Sequence, residues 1–176
     1  DAYKNADATL PFVLYVGIER TPLIYSKEKN WHEDIEIELC TKGKGMVLLN
    51  GEKYDFCEND IIAIGSNVIH YTSTDNSLTY TCLIISAEFC RQMDIEYEKL
   101  SFTPLIKDPE LKKLINSLKT LYNNSSITYR TAKLNITVLK ILTLLAEKYS
   151  VKSDTPTPGS KEFKRVKAAI KYIREN

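Results

Sequence analysis

The stretch "NWHEDIEIELCTKGKGMVLLNGEKYDF", residues 30–56, decides the fold. From Asp34 to Leu39, acidic and apolar residues alternate with a period of two, which is the pattern of a β-strand with two different faces. Further on, Asn50-Gly51 separates "GMVLL" from "EKYDF". This dipeptide supplies both positive-φ positions of a type I′ turn, so the stretch predicts a two-faced strand followed by a tight hairpin.

The two faces of the first strand differ in chemistry, because side chains two residues apart share a face. One face carries polar residues only, namely Asn30, His32, Asp34, Glu36 and Glu38. The other face carries Ile35, Ile37 and Leu39. Two interpretations follow. Either the isoleucines form the core and the carboxylates face solvent, or the polar face lines a barrel interior that admits a ligand, with the apolar face covered by later helices.

The rest of the first half also has the texture of strands. Short apolar runs recur at regular spacing, as "FVLYVGI", "PLIY", "DIIAI", "VIHYT" and "LTYTCLIIS". Turn signals separate several of them, at Ser66-Asn67 and at Asp75-Asn76. About eight short strands with no helix between them predict a β-sandwich or a β-barrel.

The second half is helical. Asp108-Pro109 predicts the start of a first helix, with the aspartate as N-cap, and "NNSS" ends it. A second helix is predicted from about Ile127 to Tyr149. It has one apolar seam of Leu134, Val138, Ile141 and Leu145, and an adjacent seam of Leu139, Leu142, Ala146 and Tyr149.

An apolar arc this wide needs two surfaces to cover it. The first helix and the β unit supply one surface. The other predicts a partner chain, and therefore a homodimer formed through Leu134, Val138, Ile141, Leu142 and Leu145. A three-layer core in which the second helix is simply central would also explain the pattern.

Both ends of the chain have a different composition. Residues 1–10 are small and polar and predict a mobile arm. Residues 151–160, "VKSDTPTPGS", are typical of a linker. Residues 161–176 predict one more amphipathic helix, rich in lysine and arginine. Such a charge run on a helix is either a solvated face or a contact with DNA.

The composition excludes some classes of function. Of 176 residues, 43% are hydrophobic, and the net charge is +1, so the chain as a whole gives no reason to bind nucleic acid or an acidic membrane. Its four cysteines lack metal-ligand spacing and are expected to be reduced thiols, most of them buried. Neither a signal peptide nor a membrane span is visible. These features predict a cytoplasmic protein without a membrane partner.

Residues 30–43 resemble the first motif of the cupin barrels, which in outline reads HxH, three or four residues, E, six residues, G. Asn30 stands at the first histidine, while His32, Glu36 and Gly43 match the later positions. The second cupin motif resembles "ENDIIAIGSNVIH", in which Asn59-Asp60 occupy the turn and the last residue is His70. Both histidines of the chain thus fall on motif positions.

The order of segments is similar to that of the AraC-type transcriptional regulators, in which a ligand-sensing, dimerising barrel precedes two helix-turn-helix units. Their first DNA-domain helix commonly reads "V..A..YI..N", which is matched here by Val166, Ala169, Tyr172, Ile173 and Asn176. The resemblance implies a mainly β chain with C-terminal helices. Its parts would be a cupin-like double-stranded β-barrel (jelly roll) at 11–103, a two-helix dimerisation unit at 104–150, and at 161–176 the first helix of a DNA-binding domain whose remaining helices this sequence lacks.

The function implied is the binding of a small polar effector, such as a sugar, inside the barrel, with relay to DNA through the helix-turn-helix domain. The ligand-binding residues would be His32, Glu36, Glu38, His70 and Tyr80. No cofactor and no catalysis are expected. The alternative is a small metal-dependent cupin enzyme, an oxygenase or isomerase, with a divalent metal on His32, Glu36 and His70.

Overall fold

A computed structural model of the chain describes residues 10–22 and 30–151. In this part there are nine strands: β1 (Phe12–Arg20), β2 (Ile35–Leu49), β3 (Glu52–Cys57), β4 (Ile61–Ile64), β5 (His70–Ser73), β6 (Leu78–Ile85), β7 (Ser101–Phe102), β8 (Leu105–Ile106) and β9 (Ser150–Val151). It also contains three α-helices: α1 (Ala87–Gln92), α2 (Pro109–Tyr122) and α3 (Arg130–Lys148). The chain is mainly β with C-terminal helices, as the sequence predicts.

Several sequence predictions concern residues outside these two ranges. The arm at 1–10, the strand in "PLIY", the linker at 151–160 and the helix at 161–176 lie outside the described residues, except for Leu10, Pro22 and Val151. Val151 lies at the end of β9, where it pairs with Ser101 of β7.

Strand β2 organises the β unit because it belongs to two sheets. Its first half pairs with β6 and β4, and its second half pairs with β3 and β5, always antiparallel. The first sheet has the order β1-β6-β2-β4-β8. One continuous strand of 15 residues therefore passes from one wall of the β unit to the other.

Glycine is required where β2 changes its pairing. Gly43 has a φ of +82°, and a Cβ at this position would lie 2.2 Å from the carbonyl oxygen of Ser77. Only a residue without a side chain fits so close to the neighbouring backbone. The hairpin that follows is as predicted, since Asn50 and Gly51 both have positive φ, at 48° and 97°.

The helices begin and end close to the predicted residues. Asp108 caps α2, and its Oδ1 accepts hydrogen bonds from the backbone N–H groups of Glu110 and Leu111 at 2.7 and 3.0 Å. Helix α3 begins at Arg130, later than predicted, because Tyr129 adopts a left-handed conformation with φ 58°. The short helix α1 was not predicted. It begins after Ser86, whose Oγ accepts from the N–H of Phe89.

The first sheet separates two clusters of buried side chains. The outer core lies between this sheet and the helices, and its main members are Ile35, Ile37, Leu39, Leu83, Ile85, Leu111, Ile115, Leu118, Leu134, Val138, Ile141, Leu142 and Leu145. The barrel interior lies on the opposite face, and its apolar members are Cys40, Val47, Leu49, Phe56, Ile62, Ile64, Leu78, Tyr80, Cys82 and Ile84.

The five residues predicted to form a dimer contact all belong to the outer core. Leu134, Val138, Ile141, Leu142 and Leu145 are each 0% exposed within the chain itself. The wide apolar arc of α3 is therefore explained by a central position between the sheet and α2. On the solvent side of α3 the largest apolar residue is Ile136, which is 52% exposed.

Two further observations concern the environment of the chain. Within residues 10–22 and 30–151, no helix has the length and apolar character needed to cross a bilayer. All four cysteines are free thiols, and three of them, Cys40, Cys82 and Cys90, are buried, while Cys57 is exposed.

Candidate functional site

The polar face of β2 points into the barrel interior. Glu36 is 5% exposed and Glu38 is 2% exposed, while Ile35 and Ile37 on the opposite face are packed in the outer core. The orientation in the second interpretation is therefore correct, because the polar face points into the barrel and the apolar face packs against the helices. Carboxylates that are this deeply buried need partners that offset their loss of hydration.

Glu36 has two imidazoles as partners. Its Oε2 lies 3.0 Å from Nε2 of His32 and 3.2 Å from Nε2 of His70. His32 precedes β2 on the chain, whereas His70 begins β5 and pairs with Leu49 in the opposite sheet. The two imidazole rings meet edge to face, with centroids 5.0 Å apart. The cluster thus joins both walls of the barrel, and its geometry brings together three of the predicted site residues.

The protonation of the two imidazoles follows from their other nitrogens. Nδ1 of His32 lies 3.1 Å from the carbonyl oxygen of Asp34, and Nδ1 of His70 lies 2.9 Å from that of Val68. A carbonyl oxygen can only accept, so each Nδ1 carries a proton. Each Nε2 therefore faces Glu36 either as a second N–H of an imidazolium or with a bare lone pair.

The electrostatics of the cluster favour the imidazolium form. Burial acts to raise the pKa of Glu36, but contact with His32 and His70 outweighs it and holds this pKa well below the ordinary value. Burial acts to lower the pKa of each histidine, but contact with Glu36 outweighs it and raises both. Glu36 is therefore ionised at neutral pH and stabilises positive charge on its two neighbours.

The same three residues also fit a divalent metal. Their ligand atoms, one each from His32, Glu36 and His70, all lie within 4.8 Å of one another. Two imidazoles and one carboxylate are a donor set suited to iron, manganese or zinc. Both Nδ1 atoms donate to backbone carbonyls, the arrangement that orients histidine ligands in many metal sites. Residue Asn30, at the remaining motif position, is exposed and pairs with His70 through its backbone.

Glu38 lies in a different environment from Glu36, although it is only two residues away. Burial, together with the negative charge of Glu36, raises the pKa of Glu38 to about 8. The hydroxyl of Thr72 lies 2.8 Å from Oε2 and 3.0 Å from Oε1 of this carboxyl group. Glu38 is consequently neutral at pH 7, and two adjacent inward-facing acids have opposite protonation states.

Tyr80 is buried in the barrel interior, where its ring meets Phe56 with centroids 6.3 Å apart. Burial raises the pKa of its phenol well above the ordinary value, and the charge of Glu38 adds to this, while Arg20 acts against it. Arg20 lies at the end of β1 opposite Leu78 of β6, so it shares the inward face with Leu78 and Tyr80. A guanidinium group thus lies beside Glu38 and Tyr80.

Three polar atoms of this region are buried without a hydrogen-bond partner among the described residues. They are Nε of Arg20, Oη of Tyr15 and Nε2 of His70. For His70, the 3.2 Å separation from Glu36 is that of an ion pair, but the alignment is not that of a hydrogen bond. A buried donor without an acceptor costs free energy, so Nε of Arg20 and Oη of Tyr15 mark where a bound polar molecule would be stabilised.

Sequence reasoning missed several residues of the site, namely Tyr15, Arg20, Thr72 and Cys82. The thiol of Cys82 donates to Oε1 of Glu36 at 3.2 Å. Thr72 could have been found from the sequence, because it is two residues after His70 and so shares its face. Arg20 was harder to find, because β1 contains an irregularity between Tyr15 and Ile18 that shifts the alternation.

Comparison with known proteins identifies the family of this chain. Residues 12–134, more than half of the chain, match the family model of the AraC-like ligand binding domain. No curated protein matches the chain.

Solved structures show the same fold. ToxT from Vibrio cholerae, in its P21 crystal form, is 14% identical with a TM-score of 0.52, over 92% of this chain and 65% of that one. ToxT from Vibrio cholerae O395 is 16% identical with a TM-score of 0.50, over 83% of this chain and 59% of that one. The chain thus spans less than two thirds of either ToxT chain.

A cupin-like protein from Thermotoga maritima is 18% identical with a TM-score of 0.42, over 48% of this chain and 65% of that one. The two-sheet β unit described above is the cupin-like jelly-roll barrel that the sequence predicts. The chain belongs to the family of AraC-like ligand-binding domains.

Proposed function

We propose that this domain is the effector-binding part of an AraC-type transcriptional regulator, and that the effector is a small polar molecule bound in the barrel interior. The observation that carries the proposal is the buried cluster of Glu36, Glu38 and His70, next to two buried polar atoms, Nε of Arg20 and Oη of Tyr15, that have no hydrogen-bond partner among the described residues. Folded chains seldom leave such atoms unpaired. Their presence together in one place is typical of a binding site.

The binding residues in this proposal are His32, Glu36, Glu38, His70 and Tyr80, as expected from the sequence. Glu36 accepts hydrogen bonds, the neutral Glu38 can donate one, and the His70 imidazole lies beside both walls of the site in an ion pair with Glu36. The ring of Tyr80 supplies an apolar surface. A sugar or another polar metabolite, which combines hydroxyl groups with an apolar face, suits this mixture of donors, acceptors and aromatic surface.

The effector would act on DNA binding by a shift between states. A ligand moves such an equilibrium only by binding one state more tightly than the other. The proposal therefore includes a helix-turn-helix domain that follows the barrel and helices, and it places the regulator in the cytoplasm with its DNA. Its support is the family and the basic residues 161–176.

This part is tested by DNA binding. Fluorescence anisotropy of operator DNA with the complete gene product, with and without an effector, should show a change in affinity of about five-fold to 150-fold, the usual range of allosteric coupling. An affinity that stays the same when the barrel is saturated would exclude the relay.

We also propose a homodimer, as the resemblance implies. The residues first expected to form it, Leu134 and its neighbours on α3, are fully buried in the chain's own core. A helix contact would therefore use the solvent side of α3 around Ile136. Analytical ultracentrifugation of the wild type and of Ile136→Glu tests this, because the charge should dissociate such a dimer. A dimer that survives the substitution would place the contact elsewhere.

Effector binding is tested by thermal unfolding with a panel of sugars and polar metabolites. A ligand at a hundred times its Kd stabilises the folded state by about 2.7 kcal/mol, which raises Tm by roughly 5–10 °C for a domain of this size. Glu36→Gln and His70→Gln should abolish the shift, and Lys140→Ala, an exposed change on α3, should keep it. A shift that both interior variants retain would place the site elsewhere.

A metal-dependent cupin enzyme is the second candidate, and it is favoured by the three ligand atoms within 4.8 Å. Elemental analysis of protein purified without chelators separates the two candidates. The regulator proposal expects effector-induced stabilisation that persists after dialysis against a chelator. Stoichiometric iron, manganese or zinc, with loss of stability on chelation, would favour the enzyme.

A further inference from the structure

The formal charges of the chain are distributed unevenly. Residues 10–106, which contain the β unit, include 15 acidic and 8 basic residues, whereas residues 107–149, which contain α2 and α3, include 3 acidic and 8 basic residues. Between residues 111 and 146 there are 6 lysines and arginines and no acidic residue. The helix pair is therefore the basic side of an otherwise acidic domain, and this side attracts a polyanion.

The acidic residues of the helical segment lie at its ends, where α2 begins and α3 ends. Nζ of Lys148 lies 3.0 Å from Oε2 of Glu110 and 3.8 Å from Oδ2 of Asp108. Among the ion pairs of the described residues, none involves Lys112 or Lys113. Both lysines thus carry positive charge that no carboxylate in this part of the chain pairs with.

A surface groove of about 440 Å³ follows α2, and both of these lysines line it. Apart from a proline in the first turn, its lining side chains are either cationic or neutral and polar: Pro109, Lys112, Lys113, Asn116, Ser117 and Thr120. Nζ of Lys112 also donates to Oδ1 of Asn59, a neutral partner that leaves the charge uncompensated. At 1.5 Å per residue, the lining extends for roughly 16 Å along the helix axis.

The groove has the chemistry of a surface that binds a phosphate backbone. Lysine, serine, threonine and asparagine are among the side chains that contact phosphates in protein–DNA complexes. One strand of a duplex has a phosphate for about every 3.4 Å of axis, so a groove of this length lies beside about five phosphates. A protein partner fits less well, because protein interfaces are rich in aromatic residues and poor in lysine. The described lining includes two lysines and no aromatic residue.

The groove begins at the end of the domain from which the chain continues. Oη of Tyr149 donates to Oδ2 of Asp108 at 2.6 Å, so the end of α3 lies beside the start of α2. The basic residues 161–176 follow in the sequence. The start of α2 is therefore close to the point where the chain leads to its proposed DNA-binding part.

We propose that α2 is a second DNA-contacting surface, on which Lys112, Lys113 and the polar side chains of the groove bind the phosphate backbone of the duplex that the helix-turn-helix units read. This contact adds affinity without sequence preference, because the phosphates are the same in every sequence. The inference rests on the proposed function, because it requires that the complete protein binds DNA.

The experiment measures how DNA binding depends on salt. Fluorescence anisotropy follows the complete gene product on an operator duplex and on an unrelated duplex of equal length, from about 50 to about 200 mM KCl. Each lost phosphate contact lowers the slope of log affinity against log salt by about 0.9, so Lys112→Gln combined with Lys113→Gln should lower it by about 1.8. At 100 mM KCl the affinity should fall about five-fold or more, by the same factor on both duplexes.

Two control variants keep the experiment specific. Lys44→Gln combined with Lys53→Gln removes the same charge from exposed positions of β2 and β3, and it should change neither the slope nor the affinities by more than about two-fold. Lys113→Gln alone keeps the contact between Lys112 and Asn59 and should lower the slope by about 0.9. This single variant guards against a structural effect of losing that contact.

The outcomes separate the two proposals. A groove variant that binds both duplexes like the wild type, or that loses no more than the β-unit control, would overturn the α2 contact and leave the proposed function standing. Unchanged DNA affinity with lost transcription in vitro would also overturn it and assign the groove to an acidic protein. If the wild-type protein binds neither duplex, the proposed relay to DNA fails together with this inference.

Discussion

The outer core and the barrel interior are both buried, but they are built from different chemistry. The outer core joins the sheet to the helices through a large cluster of buried apolar side chains. The barrel interior combines apolar side chains with two carboxyl groups, a buried imidazole and polar atoms without partners. Burial of apolar surface stabilises a fold, whereas burial of unpaired polar groups costs free energy. The outer core therefore maintains the fold, whereas the interior contains polar groups whose burial costs free energy.

The strongest test of this division is Leu142→Ala. Leu142 is 0% exposed in the outer core, and truncation there removes apolar contacts and leaves a cavity. We expect a loss of about 2–5 kcal/mol in the free energy of unfolding, measured by urea denaturation. A loss below 1 kcal/mol would show that the outer core does not dominate stability.

Gly43→Ala tests the point at which β2 passes from one sheet to the other. Its positive φ and the 2.2 Å approach to Ser77 leave no room for a Cβ. We expect the variant to lose about 2 kcal/mol or more. Gly51→Ala is the matched control, because Gly51 also has positive φ but open space around it. Equal losses in the two variants would mean that φ alone, and not the close approach, sets the requirement.

Glu38→Gln tests the cost of polar burial in the interior. Because the pKa of Glu38 is raised to about 8, the folded chain keeps a proton there that the unfolded chain releases above about pH 4.5. The unfolded state thus binds fewer protons in this window, so stability falls as pH rises, by at most about 1.4 kcal/mol per pH unit. The glutamine variant should lose this slope between pH 5 and 8 and exceed the wild type in stability at pH 8.5.

His32 and His70 also make the free energy of unfolding depend on pH. His32 and His70 have raised pKa values in the folded chain, so their stabilisation is present in full below pH 6.5 and is lost as pH rises through the folded values. The pH slope that the two histidines cause should remain in Glu38→Gln, so the variant loses only the slope that Glu38 causes. Urea midpoints measured at several pH values, with Glu19→Gln on the outside of β1 as control, give the comparison. An unchanged slope in Glu38→Gln would contradict the neutral state of Glu38.

Thr143→Ala should have the smallest effect. Thr143 follows Leu142 on α3 but is exposed, and its hydroxyl donates back to the carbonyl of Leu139. Alanine has the higher helix propensity, so we expect a gain of a few tenths of a kcal/mol, on the order of 0.5. Thermal unfolding beside Leu142→Ala measures the contrast between adjacent residues of one helix. A destabilisation above 1 kcal/mol would show that Thr143 has a structural role.

The sequence predicts the fold because its signals are local. Asn50-Gly51 determines a hairpin, Asp108 and Pro109 determine the start of α2, and the alternation around Glu36 determines the faces of β2. Whether Glu36 faces solvent or the interior depends on what covers Ile35, which residues far along the chain decide. Only the resemblance of His32 and His70 to two motifs indicated the correct side.

The features that the sequence did not predict depend on contacts between strands and between the sheet and the helices. Arg20 and Glu38 lie on strands that share β6 as a neighbour, and a local pattern does not contain the register that brings them together. The apolar arc of α3 was read partly as a surface for a partner, although the sheet and α2 cover Leu142 completely. Neither error is visible without knowing how the layers pack.

The alternation of β2 also determines how such a domain can diversify. Its even-numbered positions, Glu36 and Glu38, face the barrel interior, and its odd-numbered positions, Ile35 and Ile37, pack against the helices. Under the proposed function, point substitutions at the inward-facing positions can thus change ligand selectivity and leave the packing of the helices untouched. One inserted or deleted residue, in contrast, would exchange the two sides along the whole segment. New specificities in this segment should therefore arise by substitution, with its length kept constant.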